Sequence, residues 1–304
     1  MTQRVAVTGA SGFIGRHLVE HLAARGATVV GVRRPFDPRA LLETLRGADA
    51  VVHLAGVVSA LREQDYISAN VDGTRAVAEA ARSLGLPLIN ISSLAAAGPA
   101  PPRAPRSEDD PAGPINAYGR SKLEGERAIA RLDGLRWTTL RPGVVYGPRD
   151  GALLPLFRVA AAGIMPLVGR TGAAYTFIHV HDLVRAIAAA VDHPAVGDTI
   201  FAGHAHPVTT REILEGVRAA SGTRAAIIPI PMALTHAAAV AGDLAGMLRG
   251  RPAVINSRRY AELASDGFVC RVDRLRDRLG IVAEIGLKEG LASAYEWYRK
   301  EGWL

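Results

Sequence analysis

Short apolar runs alternate along the first half of the chain with longer segments in which apolar residues recur at helical spacing. The short runs are bounded by Gly, Pro or polar residues, as buried strands are, and lie at residues 5–8, 28–32, 51–56, 87–93 and 137–143. The helical spacing predicts helices over residues 13–25, 64–84 and 118–132. This order predicts an α/β fold with a doubly wound parallel sheet and right-handed crossovers.

The second half of the chain is less regular. The stretch TFIHVHDLVRAIAAAV, residues 176–191, predicts one more strand and helix of the sheet domain, and the remainder mixes helices with short strands. We therefore predict a sheet domain over residues 1–148 and 176–203. A smaller, discontinuous C-terminal domain over residues 149–175 and 204–304 is expected to bind the substrate.

The stretch TGASGFIG, residues 8–15, joins the first strand to the first helix. In such a unit one glycine permits a tight turn, a second lets the backbone approach a pyrophosphate, and a third lets helix and strand pack closely. The three glycines fit these roles, although their spacing also suits a turn that only needs positive φ. The residues predicted to contact a dinucleotide here are Gly9, Ser11, Gly12, Phe13, Ile14 and Gly15.

Two arginines, Arg33 and Arg34, follow the second predicted strand. A site for NAD commonly has an acidic residue at this place, which binds the ribose 2′-hydroxyl. A guanidinium can instead bind the additional phosphate of NADP bidentately, so NADP is favoured over NAD as the cofactor. The alternative is a pair of solvated surface arginines in an arginine-rich chain.

Tyr118 and Lys122 lie four residues apart in the helix predicted over residues 118–132, and therefore on one helix face. Ser93 ends a predicted strand, at the edge where open α/β sheets bind their ligands. The alternative for Tyr118 and Lys122 is an exposed helix pair without a chemical role.

The composition narrows the class of protein. No apolar run reaches the roughly 18 residues of a membrane span, no signal peptide is visible, and the single Cys270 excludes an internal disulfide framework. A cytoplasmic protein without a membrane partner is therefore expected. The net charge is +7, but the arginines are scattered without interleaved aromatic residues, which argues against nucleic acid as a partner. No His, Cys, Asp or Glu cluster has metal-ligand spacing, so no metal is expected.

Several motifs follow one another along the chain: TGASGFIG, HLAG, NVDGT, ISS, YGRSK, LRPGVVYGP and FIHVHDL. Together they resemble the extended short-chain dehydrogenase/reductase family, in particular its NAD(P)-dependent epimerase/dehydratase branch. The resemblance implies a Rossmann sheet, and a homodimer that pairs helices 64–84 and 117–132. It also implies a catalytic set in which Tyr118 is the acid/base, Lys122 lowers its pKa and binds the cofactor ribose, and Ser93 holds the substrate oxygen.

Further site residues follow from the resemblance. Asn70 of NVDGT is expected near the catalytic set, where it bridges strand and helix, orders a water or only packs the helix. His53 is expected to line the cofactor, whereas His179 and His181 are interpreted as structural. Outside the glycine stretch, the residues expected to bind the cofactor are Arg33, Arg34, Leu54, Ala55, Gly56, Tyr118, Lys122, Pro142, Val144 and Val145.

Departures from the family pattern bear on the substrate. Leu94 and Ala95 occupy the positions where dehydratases of nucleotide sugars carry Asp and Glu. Val144 replaces an Asn that contacts the sugar nucleotide, and Tyr175 replaces an Arg that binds the diphosphate. The candidates for a replacement cation are Arg149, Arg170, Arg258 and Arg259.

An oxidoreductase that acts on an alcohol/carbonyl pair of a small or medium-sized substrate is therefore the favoured interpretation. The alternatives are a UDP-sugar epimerase that uses transient oxidation, and a non-catalytic cofactor-binding protein. A further departure concerns the fold, because only RRPFDP separates the second strand from the next helix. The third strand of the family's sheet is expected to be shortened or missing, with Asp37 in the acidic position near the adenine.

Overall fold

The computed structural model describes residues 2–250, 252–253 and 255–304 of the chain. In the first half the strands and helices are β1 (Arg4–Thr8), α1 (Phe13–Ala24), β2 (Thr28–Val32), α2 (Pro38–Leu45), β3 (Ala50–His53), α3 (Glu63–Ile67), α4 (Gly73–Ser83), β4 (Leu88–Ile91), α5 (Ala117–Ala130), β5 (Trp137–Pro142) and β6 (Val144–Tyr146). In the second half they are α6 (Leu154–Ala161), β7 (Ile164–Leu167), β8 (Ala174–Tyr175), β9 (Phe177–His179), α7 (Val180–Asp192), β10 (Asp198–Ala202), β11 (Val208–Thr209), α8 (Thr210–Ser221), β12 (Ala226–Pro229), α9 (Met232–Arg249), α10 (Ser257–Leu263), β13 (Gly267–Phe268), α11 (Asp273–Leu279) and α12 (Leu287–Lys300). A π-helical turn, Ser68–Asp72, joins α3 directly to α4, and a 3₁₀ turn, Leu94–Ala96, follows β4.

Six parallel strands form the central sheet in the order β10-β5-β4-β3-β1-β2. The chain leaves β1 toward β2 on one side and returns to β3 on the other, so β1 and β3 flank a topological switch point. The predicted doubly wound α/β fold is confirmed. Among the described residues no strand lies between Val32 and Ala50, so the third strand of the family's sheet is missing, as the sequence predicts. Asp37 caps α2 there, and its place near an adenine stays a prediction.

The pleat of the sheet sends alternate side chains into two separate cores. Val5 and Val7 of β1 belong to the core that α1, α7 and α11 cover, whereas Ala6 belongs to the core under α2, α4 and α5. Parallel strands that are covered on both faces carry apolar residues at consecutive positions, which explains the short unbroken apolar runs.

A further core lies outside the central sheet, between α6, α8 and α12. Its largest buried side chains are Tyr146, Phe157 and Tyr298. Three small sheets are formed outside the central sheet, in the orders β11-β8-β13, β12-β7 and β6-β9. The smaller domain has its own apolar core, while its boundaries at residues 149–175 and 204–304 stay a prediction.

A buried ion pair connects α5 to β5. The Nη2 atom of Arg141 donates to Oε2 of Glu126 over 2.6 Å, and its Nε atom donates to both carboxylate oxygens. The two side chains retain only 9% and 8% of their exposure. Since neither charge is hydrated, each one depends on the other for its stabilisation. The pair holds α5, which carries Tyr118 and Lys122, against the sheet.

Replacing Arg141 by Met should lower the free energy of unfolding by about 3–5 kcal/mol, because the buried Glu126 carboxylate loses its partner. Arg127→Met is the matched control, since Arg127 pairs with Glu124 over the same 2.6 Å on the exposed surface. The control should change the free energy of unfolding by at most about 1 kcal/mol. Urea unfolding of both variants measures the difference, and equal losses would contradict the dependence on burial.

Candidate active site

The glycine stretch forms a tight turn at the carboxyl end of β1, against the loop that follows β3. Gly9 has a φ of +70°, and a Cβ atom placed on it would lie 2.9 Å from the nitrogen of Ala55. A Cβ on Gly15 would lie 2.1 Å from the carbonyl oxygen of Gly9, so α1 and the turn are too close for a side chain. Gly9 therefore serves the turn and Gly15 the close packing, two of the three roles that the sequence predicts.

The N-terminus of α1 is open toward solvent. Gly12 caps the helix without a side-chain hydrogen bond, and no acidic residue lies in the first turn. Ser11 and Gly12 are exposed, whereas Phe13 and Ile14 are half-buried. Because the first N–H groups of a helix have no intrahelical partner and attract anions, this cradle fits the pyrophosphate of a dinucleotide.

Buried polar side chains hold the two strand ends beside the cradle together. The ring of His53 contacts the Thr8 hydroxyl through Nδ1 at 2.8 Å and the Thr74 hydroxyl through Nε2 at 3.1 Å. The N–H of Ala55 donates to Thr8 Oγ1 over 3.1 Å. Burial lowers the pKa of His53 to about 3, so its ring is neutral at physiological pH. The expectation that His53 lines the cofactor is wrong, because its side chain is fully enclosed.

Arg33 and Arg34 directly follow β2, at the outer edge of the sheet, and both are exposed to solvent. An exposed guanidinium at this strand end is free to meet an anion, but a solvated arginine has the same exposure. The contact of Arg33 or Arg34 with a 2′-phosphate therefore stays a prediction.

Ser93, Tyr118 and Lys122 come together at the carboxyl edge of the sheet. Ser93 caps the 3₁₀ turn after β4, and its hydroxyl accepts a hydrogen bond from the Ala95 N–H over 3.2 Å. Tyr118 lies near the start of α5, and the Ser93 side chain is close enough to lower its pKa. Lys122 lies one turn further along α5 and donates from Nζ to the carbonyl oxygen of Ile91 over 2.7 Å. The fold thus brings together three residues that are distant in the sequence.

Burial controls the protonation of this group. It raises the pKa of Tyr118, while the Ser93 side chain and the positive charge of Arg258 act in the opposite direction. Burial also lowers the pKa of Lys122 to about 8, against the charge of Glu126, which raises it. The hydroxyl of Tyr118 is therefore protonated at neutral pH.

Arg258 of α10 is the cation that faces Tyr118. Its guanidinium carbon lies 5.8 Å from the centre of the Tyr118 ring, a distance typical of a cation–π contact. The same guanidinium donates to the carbonyl oxygen of Val58, in the loop after β3. From the sequence, Arg258 is expected only as a replacement diphosphate ligand, because no motif links α10 to Tyr118.

Asn70 lies in the π-helical turn and bridges the loop after β3 to α5. Its Oδ1 accepts from the Val57 N–H over 2.8 Å. Its Nδ2 donates to the Val57 carbonyl over 3.0 Å and to the Ser121 hydroxyl over 2.9 Å. Of the roles considered for Asn70, the structure shows the bridge between strand and helix. Ser121 is not predicted as a site residue from the sequence, although it directly precedes Lys122 in the YGRSK motif.

The remaining residues that are predicted to bind the cofactor lie in the loop after β3 and where β5 leads into β6. They are Leu54, Ala55, Gly56, Pro142, Val144 and Val145. A Cβ placed on Gly56 would lie 3.0 Å from Asn70 Oδ1 and 3.7 Å from Lys122 Nζ, so the glycine leaves room beside both polar groups. The contacts of these residues with a cofactor stay a prediction.

His179 caps α7, where its Nδ1 accepts a hydrogen bond from the His181 N–H over 3.3 Å. Its Nε2 lies 3.4 Å from the Ser293 hydroxyl, and burial lowers its pKa to about 4. These contacts support the interpretation of His179 as structural. Within residues 2–250, 252–253 and 255–304, no group of three or more His, Cys, Asp or Glu side chains could hold a metal.

The four arginines considered as replacement cations differ in their surroundings. Arg258 faces Tyr118, and the other three are paired with carboxylates. The pairs are Arg149 with Glu20 at 2.8 Å, Arg170 with Asp266 at 3.3 Å and Arg259 with Glu262 at 3.2 Å.

Known proteins share this sequence pattern and fold. A family model described as the NAD dependent epimerase/dehydratase family matches residues 5–203. The chain is 32% identical to a ceramide reductase from Caulobacter vibrioides, over 99% of this chain and 96% of that protein. It is 28% identical to a UDP-glucose 4-epimerase from Mycolicibacterium smegmatis, over 98% of this chain and 99% of that protein. The solved structure of MoeE5 in complex with UDP-glucuronic acid and NAD is similar to it with a TM-score of 0.77 and 27% identity, over 98% and 99% of the two chains.

The similar proteins are named reductases and epimerases, so this protein is an enzyme that depends on NAD(P). The match covers the glycine cradle, Ser93, Tyr118 and Lys122, together with the whole central sheet. The chain belongs to the NAD dependent epimerase/dehydratase family, the extended branch of the short-chain dehydrogenases/reductases.

Proposed function

We propose that the protein is an NADP-dependent carbonyl reductase, which also catalyses the reverse oxidation of a secondary alcohol. The observation that carries this proposal is the placement of Ser93, Tyr118 and the buried Lys122 together at the sheet edge that also holds the glycine cradle. The similarity to a ceramide reductase over nearly the whole chain supports it.

Each residue of the set has a separate task in this reaction. The nicotinamide, when bound, supplies the hydride that reduces the carbonyl carbon. Ser93 holds the substrate's carbonyl oxygen, and Tyr118 donates the proton that this oxygen needs as it becomes a hydroxyl. Lys122 binds the cofactor ribose and stabilises the phenolate that is left on Tyr118.

The protonation of Tyr118 is consistent with its role as the general acid in the reductive direction. Burial raises the pKa of this tyrosine, so the hydroxyl carries its proton before a carbonyl arrives. A general acid must hold its proton in the starting state, whereas an enzyme that begins by oxidising an alcohol needs the phenolate. The charge of Arg258 lowers the pKa of Tyr118 and eases release of the proton during the step.

We further propose that the substrate is an uncharged, lipid-like ketone. Leu94 and Ala95 supply no carboxylate beside Ser93, and Val144 supplies no amide for a sugar nucleotide. A diphosphate needs cationic partners, and of the four candidate arginines only Arg258 faces Tyr118. The names of two relatives agree with a lipid-like substrate, a ceramide reductase and a ketoreductase of a farnesyl-substituted quinoline from Stigmatella aurantiaca.

A UDP-sugar 4-epimerase is the second candidate function. The similarity to UDP-glucose 4-epimerases and to a structure that binds UDP-glucuronic acid with NAD favours it. In an epimerase the same Tyr118 first accepts a proton from the sugar hydroxyl and then returns it after hydride has come back to the other face. An epimerase turns over without net consumption of the cofactor, which separates the two functions experimentally.

The homodimer implied by the family resemblance is also part of the proposal. A groove of about 460 Å³ lies between the two helices concerned, and its lining includes the apolar Ile67, Val71 and Leu123 together with charged residues of both signs. The exposed Ile67 and the neighbouring apolar side chains support a contact between copies. Light scattering that gives the mass of a single chain would contradict it.

Tyr118→Phe should lower kcat by about 10²–10⁴-fold, because the phenyl ring has no proton to donate. The substrates for the assay are long-chain ketones, UDP-glucose and UDP-glucuronic acid, each with NADPH and with NADH. Tyr66→Phe is the matched control, since the Tyr66 ring lies 6.4 Å from the Tyr118 ring and its hydroxyl contacts Ala60. The control should keep kcat within a few fold.

The same assay decides between the two functions. Oxidation of NADPH with a long-chain ketone supports the reductase, whereas interconversion of UDP-sugars without cofactor consumption would replace it by the epimerase. Full activity of the Tyr118→Phe variant would contradict both mechanisms.

Arg33→Asp should reverse the cofactor preference from NADPH toward NADH, because a carboxylate repels the 2′-phosphate and accepts a hydrogen bond from the 2′-hydroxyl. We expect Kd for NADPH to rise by at least about tenfold, measured by fluorescence titration. Arg82→Asp, at an exposed arginine in the last turn of α4, is the control for the change of net charge. An unchanged preference for NADPH over NADH in the Arg33→Asp variant would show that Arg33 does not bind the 2′-phosphate.

A further inference from the structure

Helix α9 presents an apolar face to solvent. Leu234, Leu244 and Leu248 lie at helical spacing on this face, and 61%, 60% and 90% of their surfaces are exposed. Alanines fill the positions between them, and Val240 and Met247 extend the face on one side. The apolar residues of this face are Ala233, Leu234, Ala237, Ala238, Val240, Ala241, Leu244, Ala245, Met247 and Leu248.

The opposite face of α9 packs against the protein, so the exposed leucines belong to a helix that is held in place. A Cβ placed on Gly242 would lie 2.0 Å from the carbonyl oxygen of Ile255, so the backbones of the two segments are in close contact there. Asp243 accepts hydrogen bonds from the hydroxyl and the N–H of Ser257, at the start of α10. Gly242 and Asp243 of α9 thus face the protein, and its large apolar residues face water.

This arrangement is the reverse of an ordinary surface helix, which buries its apolar stripe. Ten residues of one 18-residue helix expose apolar surface. Contiguous exposed apolar surface of this kind marks a site of interaction.

Positive charges outnumber negative charges around the apolar face. The segment from residue 231 to residue 263 contains four arginines and two acidic residues, Asp243, which accepts hydrogen bonds from Ser257, and Glu262, which is paired with Arg259. Arg249 ends α9, and Arg259 of α10 is exposed. The whole chain carries a net charge of +7. An apolar helix face bordered by arginines is complementary to a bilayer with anionic head groups.

A crevice connects the end of α9 with the loop after β3. It has a volume of about 480 Å³, and its lining combines Leu61, Gly250 and Pro252 with the charged Arg62 and Asp65. Val58 in the same loop is also exposed. The loop is tied by the Val58 carbonyl to Arg258, the residue that faces Tyr118.

We propose that α9 is a membrane-docking helix, which lies in the interface of an anionic lipid bilayer with its leucines among the acyl chains. None of the described helices is long and apolar enough to span a membrane, but a helix that lies in the interface needs an apolar face and not a spanning length. The sequence predicts no membrane partner only because no apolar run is long enough to span a bilayer. The docking itself does not depend on the proposed reaction.

Sedimentation with vesicles tests the docking. The full chain should sediment with phosphatidylglycerol vesicles, and more weakly with phosphatidylcholine vesicles. The double variant Leu244→Glu, Leu248→Glu should bind phosphatidylglycerol vesicles at least about tenfold more weakly, because two leucines leave the acyl region and two negative charges enter it.

The matched control is the double variant Val196→Glu, Val282→Glu. Both valines are more than half exposed, and Val196 lies beside the amino end of β10, the edge of the sheet opposite Tyr118. The control adds the same two charges and should keep wild-type binding to the vesicles. Thermal unfolding and the Kd for NADPH should be unchanged in both double variants, which shows that the fold is intact.

Three results would overturn the proposal. The first is no sedimentation of the wild-type chain with either vesicle. The second is an equal loss of binding in the α9 variant and the control. The third is a change from dimer to monomer in light scattering of the α9 variant with its vesicle binding retained, since α9 would then contact a second copy of the chain. Vesicle binding is measured without substrate. These three results therefore test the docking of α9 even if the protein has no reductase activity.

Discussion

The contact between α5 and the π-helical turn at Asn70 decides where the chemistry of this protein takes place. A Cβ on Gly125 would lie 2.4 Å from the carbonyl oxygen of Asn70, so the two helices pack backbone to backbone. The π-helical turn adds a residue to the helix and lets the Asn70 side chain reach both Val57 and Ser121. Through these contacts the loop after β3, which borders the glycine cradle, and α5, which carries Tyr118 and Lys122, are held in one fixed relation.

Burial then gives the site its electrostatic character. Lys122 is buried and Tyr118 is half-buried, and desolvation lowers the pKa of the lysine and raises that of the tyrosine. Arg258 and Glu262 act on the pKa of Tyr118 in opposite directions, and Glu126, which pairs with Arg141, raises the pKa of Lys122. The site therefore holds a protonated tyrosine beside a lysine whose ammonium form predominates at neutral pH but loses its proton more readily than that of an exposed lysine.

The same catalytic set serves reductases and epimerases, so the difference between these enzymes lies on the substrate side. In this chain the arginines that could bind a diphosphate are largely paired with carboxylates, and the surface next to the site is apolar over α9 and the loop after β3. Both features favour an uncharged substrate delivered from an apolar environment. They come from parts of the chain that the family motifs do not cover.

The sequence by itself determined the sheet, the helices on both faces, the missing third strand and the identity of the cradle glycines, because these depend on local periodicity and on backbone conformations that few residues adopt. It also named Ser93, Tyr118 and Lys122, through spacing and a family resemblance. Only the tertiary structure decided that His53 is enclosed between Thr8 and Thr74, that Arg258 faces Tyr118, and that α9 turns its leucines outward. Each of these depends on which segments, distant in sequence, come into contact. The periodicity of a helix reports that it has an apolar face, but not whether protein or water lies against that face.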